Sequence, residues 1–111
     1  MYETRCFKIK LKPDSIARVR EWAETMNRRK DEAIETLRDE TVVVESVFLD
    51  RTEQGDFLIY FMKAESFEKS AEAARNSKHS IDEYHRKFMK ETRIEGTKLE
   101  LLVDLDRISE V

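Results

Sequence analysis

The sequence predicts an α+β sandwich: one antiparallel sheet of four strands with helices covering one face. Three observations carry this. Apolar residues recur with period two in four short stretches and with helical spacing between them, in the order β-α-β-β-α-β. The two central apolar stretches are joined by DRTEQG, whose Gly55 supplies a hairpin turn. Two glycines and one proline in 111 residues leave little material for linkers, so a single domain over residues 1–111 is expected.

The first strand is RCFKIKL (5–11), where Phe7, Ile9 and Leu11 alternate with Cys6, Lys8 and Lys10. Pro13 ends it, Asp14 or Ser15 can cap, and Ile16, Val19, Trp22, Ala23 and Met26 then fall at helical spacing. The stripe resumes at Ala33, Ile34 and Leu37, but NRRKD (27–31) interrupts it, and one helix over this whole span would reach about 36 Å. A break near Asn27 to Asp31 is therefore expected. TVVVESVFL (41–49) and DFLIYFM (56–62) read as the hairpin strands. Ser66 opens a helix carrying Phe67, Ala71 and Ala74, NSKHS interrupts, and Ser80 with Glu83 has capping-box spacing for a further helix ended by Gly96. The alternation of KLELLVDL (98–105) reads as the fourth strand. This order, with each helix in two pieces, is that of a split-βαβ, ferredoxin-like sandwich.

Composition excludes several functions. The net charge of -3 provides no basic footprint for nucleic acid. No glycine-rich phosphate loop or G-x-S-x-G elbow occurs. The lone Cys6 has no disulfide partner, which fits a reducing cytoplasm, and no apolar run matches a signal peptide core or a membrane span. His79 and His85 lack the spacing of helical zinc ligands, and no cofactor is expected.

Placing Phe7, Ile9, Leu11, Phe57, Ile59, Phe61, Leu99, Leu101 and Val103 against the helices sends Lys8, Lys10, Leu58, Tyr60, Met62, Glu100, Leu102 and Asp104 to the other face. In the second strand Val42, Val44 and Phe48 compete with Val43, Val47 and Leu49 for the core; taking the first set inward, Glu45 joins that open face near Lys8 or Lys10. An open face also bearing Val43 and Val47 is too apolar to be left in water. Its economical cover is a second copy of the chain, giving a homodimer through the open sheet face.

The segments RCFKIKLKP, VREWAETMNRRKDEAIETLRDE, GDFLIYFMKAESFEKS, SIDEYHRKFMKE and LELLVDLDR resemble a family of uncharacterised prokaryotic proteins in the dimeric α/β-barrel superfamily. The resemblance spans nearly the whole chain. It implies a ferredoxin-like protomer pairing into a barrel, with a cavity between sheet and helices. Relatives in that superfamily include cofactor-free monooxygenases, haem-degrading enzymes, mutarotases and dehydratases.

Three side chains are candidates for chemistry. His85 lies beside the apolar stripe of SIDEYHRKFMKE and titrates near neutrality. Glu45 interrupts an apolar strand and would serve as a base if desolvated, and Tyr60 offers a hydroxyl that orients or protonates a ligand. Together they suit a pocket for a small organic molecule and a cofactor-free isomerisation, oxygenation or elimination. Each also has a plain structural reading: His85 bonded to a neighbour, Glu45 paired with Lys8, Tyr60 an ordinary strand residue. On that reading the chain is a non-catalytic dimeric binding or structural module. His79, in a loop beside Lys78, reads as solvated.

Overall fold

The computed structural model describes residues 1–111. Its elements are β1 (Glu3–Leu11), α1 (Ile16–Arg28), α2 (Lys30–Asp39), β2 (Val42–Thr52), β3 (Gly55–Ala64), α3 (Phe67–Asn76), α4 (Ser80–Thr92) and β4 (Arg93–Lys98), then a 3-10 turn at Ile108–Glu110. The sheet order is β2-β3-β1-β4 with every neighbouring pair antiparallel, the ferredoxin-like arrangement with both helices split. No helix is long and apolar enough to cross a membrane.

The helical break falls where the polar interruption places it. α1 stops at Arg28 and α2 starts at Lys30, with Arg29 (φ -101°, ψ 31°) between them. Arg29 donates to both carboxylate oxygens of Glu32 and to Ser80 Oγ, tying the break to the start of α4. The hairpin between β2 and β3 turns through Glu53 and Gln54, with Gly55 at φ 126°, a conformation that side chains with a Cβ rarely adopt.

Layering follows from strand register. Leu49, Leu58 and Ile9 stand side by side across β2, β3 and β1, as do Val47, Tyr60 and Phe7, and then Glu45, Met62 and Arg5. Leu58 and Ile9 are buried in one cluster with Leu11, Val19, Trp22, Tyr60 and Phe88, so this is the helix-covered face. A smaller cluster joins Val42, Ala64 and Phe67 under α3.

Several sequence expectations are corrected. In β3 the inward residues are Leu58, Tyr60 and Met62, whereas Phe57, Ile59 and Phe61 share the open face with Lys8, Lys10 and Cys6. Both phases of DFLIYFM are apolar, and pairing with Ile9 makes the choice. In β2 an irregularity between Val42 and Val44 shifts the phase, so Val42 is buried beneath α3 while Glu45, Val47 and Leu49 face the helices. Glu45 is therefore not beside Lys8 or Lys10; Lys8 instead meets Asp50 at 3.6 Å on the opposite face. The cap of α4 is His79 without a side-chain bond, and Ser80 is already helical, its hydroxyl taken by Arg29, so the capping box does not form.

The fourth strand is also displaced. α4 runs to Thr92 and passes directly into β4, so Arg93–Lys98 supply the ladder to β1 and Gly96 lies inside it, opposite Ile9. A Cβ at Gly96 would come within 2.8 Å of Ile9 Cδ1, so the absence of a side chain is what lets Ile9 occupy that space. After Leu99 N–H bonds Cys6 C=O, residues 99–107 leave the edge and form no strand. Their course to β3 is fixed by Lys63, whose Nζ meets Asp104 at 2.6 Å, Asp106 at 3.1 Å and Thr4 Oγ1 at 2.6 Å. This arm leaves Leu102 (81% exposed) and Leu105 (88% exposed) in the open.

Candidate functional site

Between the helix-facing side of β2 and β3 and the helices α1, α2 and α4 lies a cleft of about 400 Å³. Its floor is Glu45, Val47, Tyr60 and Met62; Trp22, Ala23 and Met26 of α1, Ile34 and Leu37 of α2, and Ile81, Asp82 and His85 of α4 form walls. Helical spacing dictates this: Ile81 and His85, four residues apart, share one face of α4, and Trp22 and Met26 share one face of α1. The corrected registers bring Glu45 and Tyr60 to the same cleft as His85, which the phases expected from sequence had kept on opposite sides of the sheet.

His85 is oriented by an aromatic box. Its ring centroid is 5.7 Å from Trp22, 6.0 Å from Tyr60 and 6.2 Å from Phe88, and Trp22 stacks on Phe88 at 4.6 Å with 6° between planes. Trp22 Nε1–H donates to His85 Nδ1 at 3.1 Å. An indole nitrogen is a donor only, so Nδ1 must offer its lone pair, and the neutral ring carries its proton on Nε2. Burial, aided by Arg86, lowers the His85 pKa against a smaller opposing pull from Asp82. Nε2 has no protein partner and is not a sealed-in orphan, so its N–H is available to a ligand.

Carboxyl groups cluster opposite. Glu45 is raised above its ordinary range first by desolvation and then by the charge of Asp82. The Glu45 residue is nevertheless exposed, at the solvent edge of the cleft floor, which limits the energetic weight of that shift. Glu40, at the end of α2, is pushed up to about 7 by burial first, then by Asp82, Glu45 and Asp39. Sequence reasoning missed Glu40, because a glutamate at a helix end before a strand looks like ordinary surface. Its one distinguishing sign was the Glu40-Thr41-Val42 junction, where a polar residue enters directly into a buried strand. His85 and Glu45 share the cleft without bonding to each other.

Tyr60 gives its ring to the floor. Its hydroxyl donates to Met89 Sδ at 3.3 Å, and burial followed by the charge of Glu45 raises its pKa, so it stays protonated. His79 lies outside the cleft, its Nε2 at 2.8 Å from Asp39, which raises its pKa. No group of three or more His, Cys, Asp or Glu side chains gathers in a metal-holding arrangement.

No functionally curated protein matches the chain. Among solved structures the fold is similar to an uncharacterised NIPSNAP-like domain protein from Burkholderia xenovorans, with a TM-score of 0.61, 18% identity, and coverage of 93% of this chain and 85% of that one. At that identity the likeness concerns the fold. Residues 2–110, nearly the entire chain, match a sequence family. The protein thus belongs to the family described as "Family of unknown function (DUF6176)".

Proposed function

We propose that the cleft binds a small organic molecule carrying a carbonyl group and moves protons on it without a cofactor. The observation that carries this reading is the Trp22 to His85 hydrogen bond, which leaves a neutral imidazole with a free Nε2–H in an aromatic-walled cavity. A neutral N–H donor polarises a carbonyl oxygen without giving up its proton outright. Glu45, raised above its ordinary range, then removes a proton from the adjacent carbon and returns it to that carbon, giving exchange or epimerisation. In an α-hydroxy carbonyl compound it delivers the proton instead to the former carbonyl carbon while the hydroxyl proton passes to the other oxygen, a cofactor-free isomerisation. Tyr60 contributes its ring as a platform that sets the depth of the ligand. Glu40, half ionised near pH 7, holds the proton balance of the carboxyl cluster.

In this reading the working unit is a homodimer. Phe48 is 61% exposed on the sheet face away from the helices, beside Ile59, and the arm adds Leu102 and Leu105. A second copy related by a two-fold axis covers these residues.

The test is exchange of carbonyl-adjacent protons in D₂O, followed by NMR over a panel of simple ketones and hydroxyketones. The expected result is exchange of one ligand class by the wild type and a loss of about 100-fold or more in both His85→Asn and Glu45→Gln. Exchange unchanged in both variants, or absent for every compound, would leave a binding module in its place.

A further inference from the structure

We propose that Arg5 anchors an anionic group of the ligand, in a second cavity that opens from the cleft past Met62, so that the ligand is a keto acid and not a neutral ketone. This rests on the reading of the cleft as a carbonyl site and adds the substrate class to it.

The second cavity measures about 220 Å³ and lies under α3, between Arg5, Phe7, Val42, Phe67 and Ala74. It shares Glu40 and Met62 with the main cleft, so these two side chains are the partition between the two spaces. Cross-strand register puts Glu45, Met62 and Arg5 in one row on the helix-facing side. With neighbouring strands about 4.8 Å apart, the carboxylate and the guanidinium are anchored about 10 Å from each other with only a thioether between them. Met62 is unbranched and flexible, the side chain most easily moved aside by a ligand.

Arg5 is held without being neutralised. Its guanidinium carbon lies 4.4 Å from the centre of the Phe67 ring, a cation–π contact that occupies none of its N–H donors. It makes no salt bridge and donates no side-chain hydrogen bond within the protein; Arg20, Arg28, Arg75, Arg86 and Arg93 are likewise unpaired, but among the arginines Arg5 alone lines this cavity. None of its nitrogens is a buried orphan, so all can be approached. A planar fork of free donors fits a carboxylate in bidentate fashion.

Charge placement also fixes orientation. The acidic cluster of Glu45 and Asp82 repels an anionic end from the β2 side of the cleft, whereas Arg5 attracts it on the β1 side. A molecule with a carbonyl at one end and a carboxylate several carbons away then presents the carbonyl to His85. Glu40 faces both spaces and is protonated for much of the time near neutrality, so it does not close the passage to an anion.

The test compares 6-oxoheptanoate with its neutral counterpart 2-heptanone by calorimetry and by NMR shifts of His85, in wild type, Arg5→Gln and Arg5→Lys. The expected result is at least tenfold tighter binding of the keto acid by wild type, parity of the two compounds in Arg5→Gln, and partial preference in Arg5→Lys. Far-UV circular dichroism and binding of 2-heptanone by Arg5→Gln control for folding. Equal binding of acid and ketone by wild type, or a preference that survives Arg5→Gln, overturns the anionic subsite while leaving the carbonyl cleft standing. If neither compound binds nor shifts His85, both readings fall together.

Discussion

Trp22 donates its indole N–H to Nδ1 of His85, and this single bond decides which face of the imidazole is chemically available. Because Trp22 is itself buried and stacked on Phe88, the donor is fixed by the core, and the histidine inherits that fixity. Packing and chemistry are here the same contact.

Replacing the donor separates them. In Trp22→Phe the lone pair on Nδ1 loses the partner that favours the neutral ring, so the His85 pKa rises and the two neutral tautomers mix. Burial of a smaller ring costs about 1–3 kcal/mol of stability. Histidine NMR titration beside urea denaturation checks both; an unchanged His85 titration would mean that the bond has no role in setting the tautomer.

Glu40 imposes a pH dependence of its own. Its folded pKa, about 7, lies above the ordinary 4.5, so the native state binds more protons than the unfolded chain between those values, and its contribution to stability falls as pH rises through that window. His85, shifted downward, acts in the opposite sense: its contribution is full above about 6.5 and is lost as pH falls toward its folded pKa. Glu40→Gln is therefore expected to gain about 1–2 kcal/mol over wild type at pH 8 and little at pH 5, read from urea midpoints at the two values. Equal gains at both would show that Glu40 ionises normally.

These groups also show what the sequence made legible. The element order, the hairpin and the break at Arg29 follow from local patterns, because polar interruptions and turn residues act within a few positions of themselves. The face assignments were a different matter. DFLIYFM is apolar in both phases, so only its pairing with Ile9 separates Leu58 and Tyr60 from Phe57 and Ile59. The irregularity at Val43 has no local sign, yet it moves Glu45 across the sheet. His85 was readable from helical spacing; its meeting with Glu45 and Tyr60 depended on those two registers. KLELLVDL alternates better than RIEGTK, but the direct passage from α4 into β4 makes the less apolar segment the strand.

Lys63 holds the arm that this leaves unpaired. The lysine is only 6% exposed and its ammonium is shared between Asp104 and Asp106. The double change Asp104→Asn, Asp106→Asn releases the arm and leaves the lysine without a counter-charge, with Thr4 Oγ1 as its remaining partner. Trypsin should then cut after Lys98 and Arg107 several-fold faster than in wild type, with mass spectrometry identifying the sites; identical cleavage rates would show that the ion pairs do not hold the arm.

The apolar residues exposed on the arm and open face are expected to make a dimer. Light scattering should give twice the 13.2 kDa chain mass for wild type and the single mass for Phe48→Glu with Leu102→Asp. A monomeric wild type would remove the two-fold assembly from the proposal without touching the cleft.

The most direct measurement is the nitrogen NMR titration of His85, assigned with His85→Asn and repeated in the presence of ketones. A neutral ring protonated on Nε2, titrating below about 6.5 and moved by one class of carbonyl compound, is the expected result. A ring that titrates at its ordinary value, exchanges its tautomers freely and ignores every compound would contradict the proposed role of the cleft.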